Sequence, residues 1–260
     1  MYPQLYLLNH SGFLLELENS VLIFDYYTDP ANVLAKFSGG DKPVVFFVSH
    51  DHADHWNPEI LSFKNNAPAY YVLDSSCDSK RVRQAAKEIQ REVIFVDPHD
   101  ILQNELAAVP SLLRVYVFAS TDAGSAFLIV TEIGSFIHLG DLNDWDWQDE
   151  DSEQMKTDYK TELARMAEAW SKVKKDEILP AKAGELILSF VPTDKRLEET
   201  ALNGALLFLE YLPSRYLAPM HLNGGEELPG ELASVLSQQG RADLTQVLDL
   251  AVPGQMTLLD

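Results

Sequence analysis

Cysteine is almost missing from this chain. Cys77 is the only one in 260 residues, so no internal disulfide can form and a cysteine-based structural zinc site is excluded. A single thiol fits a reducing compartment, and the cytoplasm is the expected location. Basic residues are scarce as well: 20 Lys and Arg stand against 40 Asp and Glu, a formal net charge of −20. Such a field repels phosphate backbones and anionic lipid, so nucleic acid and membrane are not expected partners, and the surplus acid reads first as a solubility device. No apolar run approaches the roughly 18 residues of a membrane span. The start, Met1-Tyr2-Pro3-Gln4, lacks the basic segment of a secretory signal. There is no short repeat, low-complexity tract or linker. The chain is 46% hydrophobic, enough to bury a real core, and one domain over residues 1–260 is expected.

Short apolar runs with turn residues between them dominate the pattern. Leu5–Leu8, Phe13–Leu17 and Val21–Phe24 read as an antiparallel meander, and Val44–Val48 as a strand buried on both faces. Asn57 and Pro58 read as the cap and first position of a helix. Tyr70–Leu73 and Val93–Val96 are further strands around a helix near Ser79–Arg91. The second half repeats the theme: strands at Leu113–Phe118, Ala126–Thr131, Ser135–Leu139, Leu186–Val191, Tyr216–Ala218 and Met256–Leu259, with helices near Glu153–Lys174, Glu198–Tyr211 and Leu232–Gln239. Strand-rich halves with their own helices predict a two-sheet sandwich with helices outside.

The most informative stretch lies directly after Val44–Val48. Ser49-His50-Asp51-His52-Ala53-Asp54-His55 packs three imidazoles and two carboxylates into six positions, the donor types that zinc, iron and manganese accept. Other His and Asp residues also fall just beyond predicted strands: Asp122 after Phe118, Asp141 after Leu139, and His221 after Ala218. Layered folds gather ligands at such ends. If these ends share one edge, their side chains converge on one metal centre.

The Ser-His-x-His-x-Asp-His segment resembles the signature of the metallo-β-lactamase superfamily. The resemblance extends to His138-x-Gly140-Asp141-Leu142-Asn143-x-Trp145 and Pro219-Met220-His221, and most closely to bacterial metal-dependent hydrolases near the lactonase-like branch, whose early His and Asp match His10 and Asp25. It implies an α/β (α+β) four-layer αββα sandwich and two divalent metal ions, zinc first, with manganese or iron as alternatives. It also implies hydrolysis of a small ester, lactone or phosphodiester by water activated on the metals. By that resemblance His50 and His52 bind the first metal, Asp54, His55 and His221 the second, and Asp141 bridges. Asp54 and Asp141 are then the candidates for relaying the proton after attack.

The resemblance breaks at one place. The family's third histidine for the first metal is absent from the loop after Leu113–Phe118, where Ser120-Thr121-Asp122 stands. Asp122 is either a replacement ligand or a turn residue. Other positions also carry two readings. Asp51 either orients a ligand histidine or caps a backbone group. His10 either touches substrate or is structural. Trp145 and Trp147 either wall a substrate pocket or staple the following helix. Asp194 and Arg196 either sit at the site, the guanidinium reading an anionic group on the substrate, or form a surface ion pair. His138 reads as packed in the core and His99 as loop surface. The rival functions are a metal-dependent nuclease, which the charge disfavours, and a degenerate member that binds metal or a metabolite without catalysis. A redox diiron role ranks below these, because such relatives carry Glu where His52 stands.

Overall fold

The computed structural model describes residues 3–88, 91–147 and 152–260. Two seven-stranded sheets face each other. The first takes β1 (Gln4–Asn9), β2 (Gly12–Glu16), β3 (Val21–Phe24), β4 (Val44–Val48), β5 (Ala69–Asp74), β6 (Glu92–Val96) and the last strand, β14 (Met256–Leu258). The second takes β7 (Ile101–Leu102), β8 (Leu112–Ala119), β9 (Ser125–Thr131), β10 (Gly134–His138), β11 (Leu186–Pro192), β12 (Tyr216–Met220) and β13 (Gln246–Val247). The orders are β14-β1-β2-β3-β4-β5-β6 and β13-β12-β11-β10-β9-β8-β7. The helices are α1 (Lys80–Glu88), α2 (Glu153–Lys175), α3 (Asn203–Tyr211) and α4 (Leu228–Gln238). This is the expected αββα sandwich. No helix among the described residues is long and apolar enough to cross a membrane.

The strand sequences explain the layers. In β3 and β4 successive side chains point to opposite faces: Leu22, Phe24, Val45 and Phe47 enter the core between the sheets, whereas Val21, Ile23, Val44 and Phe46 face the outer layer with Ile60, Leu61 and Val82. Strands apolar on both faces must be covered on both. The second sheet is covered by α2, whose Tyr159, Leu163 and Met166 join the central core. Fully burying each such side chain is worth about 1.5–3 kcal/mol.

Two helix expectations change. Asn57 does cap, its side chain accepting from the Glu59 N–H at 2.9 Å, but it opens only a short 3-10 turn over Pro58–Ser62. The predicted helix over Glu198–Tyr211 is α-helical only from Asn203: a 3-10 segment at Lys195–Thr200, itself kinked at Glu198 (φ 54°, ψ −117°), precedes α3. The predicted Ser79–Arg91 helix includes residues 89 and 90, and the acidic segment after Asp141 includes 148–151; these lie outside the described residues. The two-residue strands β7 and β13 carry too little pattern to be read from sequence.

Direction decides where chemistry can occur. β1 and β3 both run antiparallel to β2, and β3, β4 and β5 are mutually parallel; β10, β11 and β12 are parallel in the other sheet. Their C-terminal ends carry His10, Asp25, Ser49–His55, Asp141, Asp194 and His221. The sheets are joined at this edge: the Ser125 N–H donates to the Ser49 carbonyl at 2.8 Å, and the Ser125 hydroxyl to Asp74 at 2.5 Å.

Close approach there demands glycine. Gly124 has φ 69°, and a Cβ on it would stand 2.0 Å from the Ser49 carbonyl oxygen; at Gly140, with φ 53°, it would stand 2.6 Å from the Ser49 Cβ. Gly124→Ala therefore combines left-handed strain with a backbone clash, and is expected to lower unfolding free energy by about 2–4 kcal/mol in urea titration. A loss under about 0.5 kcal/mol would contradict this packing.

Candidate metal centre

Three of the strand ends turn through left-handed backbone at a non-glycine residue: His10 (φ 54°), Asp25 (φ 39°) and His221 (φ 61°). Such conformations cost of order 1 kcal/mol or more each and concentrate where side-chain direction matters. Here they swing side chains inward from the strand axis. The donors then form two groups, each with its atoms within 4.8 Å of one another: His50, His52 and Asp141 in one, and His10, Asp54, His55 and His221 in the other.

Asp141 stands between them. Its Oδ2 lies 3.5 Å from His50 Nε2, and its Oδ1 lies 3.1 Å from His55 Nε2 and 3.5 Å from His221 Nε2. Donors sharing one ion at about 2.0–2.2 Å are separated by roughly these distances. The His55–Asp141 pair is at ion-pair distance but is not aligned as a hydrogen bond; His55 Nε2, His50 Nε2, His10 Nε2 and Asp141 Oδ1 are all buried without a hydrogen-bond partner. Buried polar atoms are rarely left so. Four of them converging, with nitrogen and carboxylate donors mixed, fit metal binding.

The opposite ring nitrogens are held. His55 Nδ1 donates to Asp25 Oδ2 at 2.8 Å, and His221 Nδ1 to Asp194 Oδ2 at 2.8 Å. The Ser49 hydroxyl donates to Asp25 Oδ2 at 2.7 Å, which leaves its oxygen to accept from His50 Nδ1 at 3.0 Å. Each contact puts the proton on Nδ1 and frees Nε2 for a metal, the arrangement that fixes a ligand histidine's tautomer and direction. His138 has the opposite tautomer: its Nε2 donates to the Ser11 carbonyl at 2.9 Å and its Nδ1 accepts from the Gly140 N–H at 3.2 Å, so it is the packed residue expected. It stacks on Phe24.

Electrostatics mirror the geometry. Burial lowers the pKa of His10 to about 4, helped by the neighbouring His221 and His55. Burial and His55 also lower that of His50. Burial opposes the charge on His55, but contacts with Asp141 and Asp25 outweigh it and push its pKa up to about 10. Burial likewise opposes ionisation of Asp141 and Asp194, yet their histidine partners, and Arg196 for Asp194, hold both well below the usual carboxylate range.

The remaining sequence-predicted residues separate clearly. Asp122 is exposed on the rim and lies outside both donor groups; its backbone N–H donates to Ser120 Oγ at 3.2 Å, a turn contact. Asp51 is exposed and is tied through its backbone N–H to Ser76 Oγ at 3.1 Å. His99 is on the surface. Trp145 and Trp147 combine their two readings: they pack with Met155 of α2, and all three line a cavity of about 260 Å³ with His52, Asp54, Asp122, Asp141, Arg196 and His221. The Trp145 indole N–H donates to the Asp141 carbonyl at 2.9 Å. Asp194 is buried behind His221 and faces it rather than a substrate. Arg196 clamps Asp194 through Nε and Nη2 and reaches the cavity wall. His10 is absent from this lining and borders a neighbouring cavity of about 150 Å³.

Sequence reasoning missed Asn223, whose side-chain amide donates to Asp194 Oδ2 at 2.8 Å, and Met155. Asn223 stands two residues after His221, the only signal that could have found it.

Solved structures carry the same architecture. Igni18, a metallo hydrolase from the archaeon Ignicoccus hospitalis, superposes with a TM-score of 0.60 at 16% identity, over 98% of this chain and 97% of its own. YhfI of Bacillus subtilis, a metallo-β-lactamase fold protein, gives 0.57 at 13% identity, over 99% and 100%. The chain has the metallo-β-lactamase fold. CmlA, a diiron β-hydroxylase from Streptomyces venezuelae, gives 0.55 at 12% identity, and there this chain spans 54% of the longer protein. No family model and no curated protein matches the sequence.

Two measurements test the centre of this metallo-β-lactamase fold. Asp25→Asn and Asp194→Asn, nearly isosteric but unable to accept as a charged group, should each weaken zinc affinity by about 10–100-fold in chelator competition. Unchanged affinity in both would show that these carboxylates do not orient ligands. The second concerns pH. The folded-state pKa of His55 lies above its ordinary 6.5, so its stabilising contribution to the metal-free protein is complete below 6.5 and is lost as pH rises through about 10. Metal binding at Nε2 must displace that proton. Zinc titrated into chelator-treated protein near neutral pH should therefore release protons, seen as a calorimetric heat that varies with the ionisation enthalpy of the buffer. A buffer-independent heat would refute the assignment.

Proposed function

We propose that this protein is a hydrolase that uses two divalent metal ions, zinc first, to cleave a small ester, lactone or phosphodiester. The observation that carries the reading is the convergence of unpartnered buried donors, His50 Nε2 and His55 Nε2, on Asp141, which itself lines a cavity walled by tryptophan. Imidazole-rich, carboxylate-bridged donors suit zinc more than magnesium or calcium. When bound, such ions polarise a carbonyl or phosphoryl oxygen and lower the pKa of water towards about 7.

The residues divide the remaining work. His50 and His52 with Asp141 would hold one ion, and Asp54, His55 and His221 the other. Asp25 and Asp194 keep the His55 and His221 rings aimed. Asp54 lies half-exposed in the cavity lining, where its carboxylate can take up the proton released on attack. Trp145, Trp147 and Met155 give an apolar wall for the body of a small substrate and keep bulk water from that side. A cavity of about 260 Å³ suits a small molecule. Polynucleotide is disfavoured by the net charge of −20 and by a lining with three aspartates and one arginine.

Protein purified with zinc or manganese should contain close to two equivalents by mass spectrometry. It should hydrolyse nitrophenyl esters, lactones or a bis-aryl phosphodiester, with Asp141→Asn slower by about 100-fold or more and depleted of metal. Less than about half an equivalent of metal, with no turnover of any of these substrates, would overturn the proposal.

A further inference from the structure

His10 has a buried donor atom with no role in the ligand sets of the proposed function, where Asp141 stands between the two groups. It ends β1 in a left-handed conformation and its carbonyl accepts from the His221 N–H at 3.4 Å, which ties the two strand ends together. Its ring centroid is 4.0 Å from that of His221, and it meets His55 edge-on at 5.6 Å. Its Nε2 lies 3.5 Å from Asp54 Oδ2 and is buried with no hydrogen-bond partner. One of its ring nitrogens lies within 4.8 Å of donors from Asp54, His55 and His221. A substrate contact would require His10 on the tryptophan-walled cavity, and it does not line it.

We propose that His10 is an additional protein ligand of the second metal, so that His10, Asp54, His55 and His221, together with the shared Asp141, close that site while His50, His52 and Asp141 leave the first with a position for an exchangeable ligand. The inference rests on the binuclear reading of the proposed function. Four protein ligands make the closed arrangement of structural zinc sites, and three make the open arrangement of catalytic ones. The two ions then differ in kind: a tightly held one anchored by three imidazoles, and a more labile one with an open position. Asp122 is not needed at the first site, which agrees with its place on the rim.

The test counts histidines in the unaltered protein. The chain has seven: 10, 50, 52, 55, 99, 138 and 221. In the chelator-treated protein carrying 15N-labelled histidine, saturation with zinc should shift five imidazole spectra, leaving His99 and His138 as unmoved controls. Four shifted imidazoles would overturn the inference while leaving the binuclear site standing; a protein that takes up no zinc would overturn both. His10→Asn provides a second readout, since asparagine tolerates left-handed backbone. It should weaken the tighter zinc equivalent by at least about tenfold, change the visible spectrum of the cobalt-substituted protein, and recover in part with added imidazole. Two equivalents retained at unchanged affinity, with an unchanged cobalt spectrum, would also overturn it.

Discussion

The candidate metal centre depends on one buried carboxylate. Asp25 leaves β3 in a left-handed conformation and accepts the Ser49 N–H at 2.7 Å, the Ser49 hydroxyl at 2.7 Å and the His55 Nδ1–H at 2.8 Å. Moving a carboxylate out of water costs several kcal/mol, and only well-aligned charge-assisted hydrogen bonds offset it. Those three bonds fix both ends of the metal loop against the strand that precedes it. Ser49 passes the constraint on, since its hydroxyl oxygen orients His50 and its carbonyl accepts from Ser125 of the opposite sheet. Gly124 and Gly140 press against it from that side. The contact that joins the two sheets at this edge is therefore also the contact that aims the imidazoles.

A second arrangement of the same kind stands behind His221. Asp194 is buried, and His221, Asn223 and Arg196 all donate to it. The centre thus has negative charge behind its histidines and more in front, from Asp54 and Asp141. This explains why His55 favours its protonated form in the absence of another cation: a proton on Nε2 is the smallest charge that can satisfy Asp141. A divalent ion does the same work more completely. The surplus acid of the whole chain is a separate matter. It lies mostly in solvent and bears on partners and solubility rather than on the centre.

Much of this is legible in the sequence because local pattern carries it. Val44–Val48 reads as a strand covered on both faces, and the two histidines at i, i+2 with Asp-His after them put metal-type donors directly at its end. Elements shorter than a period, such as Ile101–Leu102, leave no pattern to read. Glu198 kinks the chain at the first residue of the expected helix, and one positive-φ residue leaves no mark on hydrophobic spacing. Asp194 reads from the sequence as a residue near the site, but as a substrate contact or surface ion pair rather than the buried partner of His221. Sequence marks a charged side chain as chemically able; it does not give the direction in which it points.

The sequence by itself determined the donor types, the strands that carry them and the exclusion of a cysteine-based metal site, since each is a property of residue identity and short-range spacing. Only the tertiary structure decided which donors meet. Parallel β1, β3 and β4 in one sheet and β10, β11 and β12 in the other bring six chain ends to one edge. Left-handed turns at His10, Asp25 and His221 then swing their side chains inward. The direction of a side chain at a strand end is set by one backbone dihedral and by contacts far away in the chain, and neither is written in the spacing of the sequence.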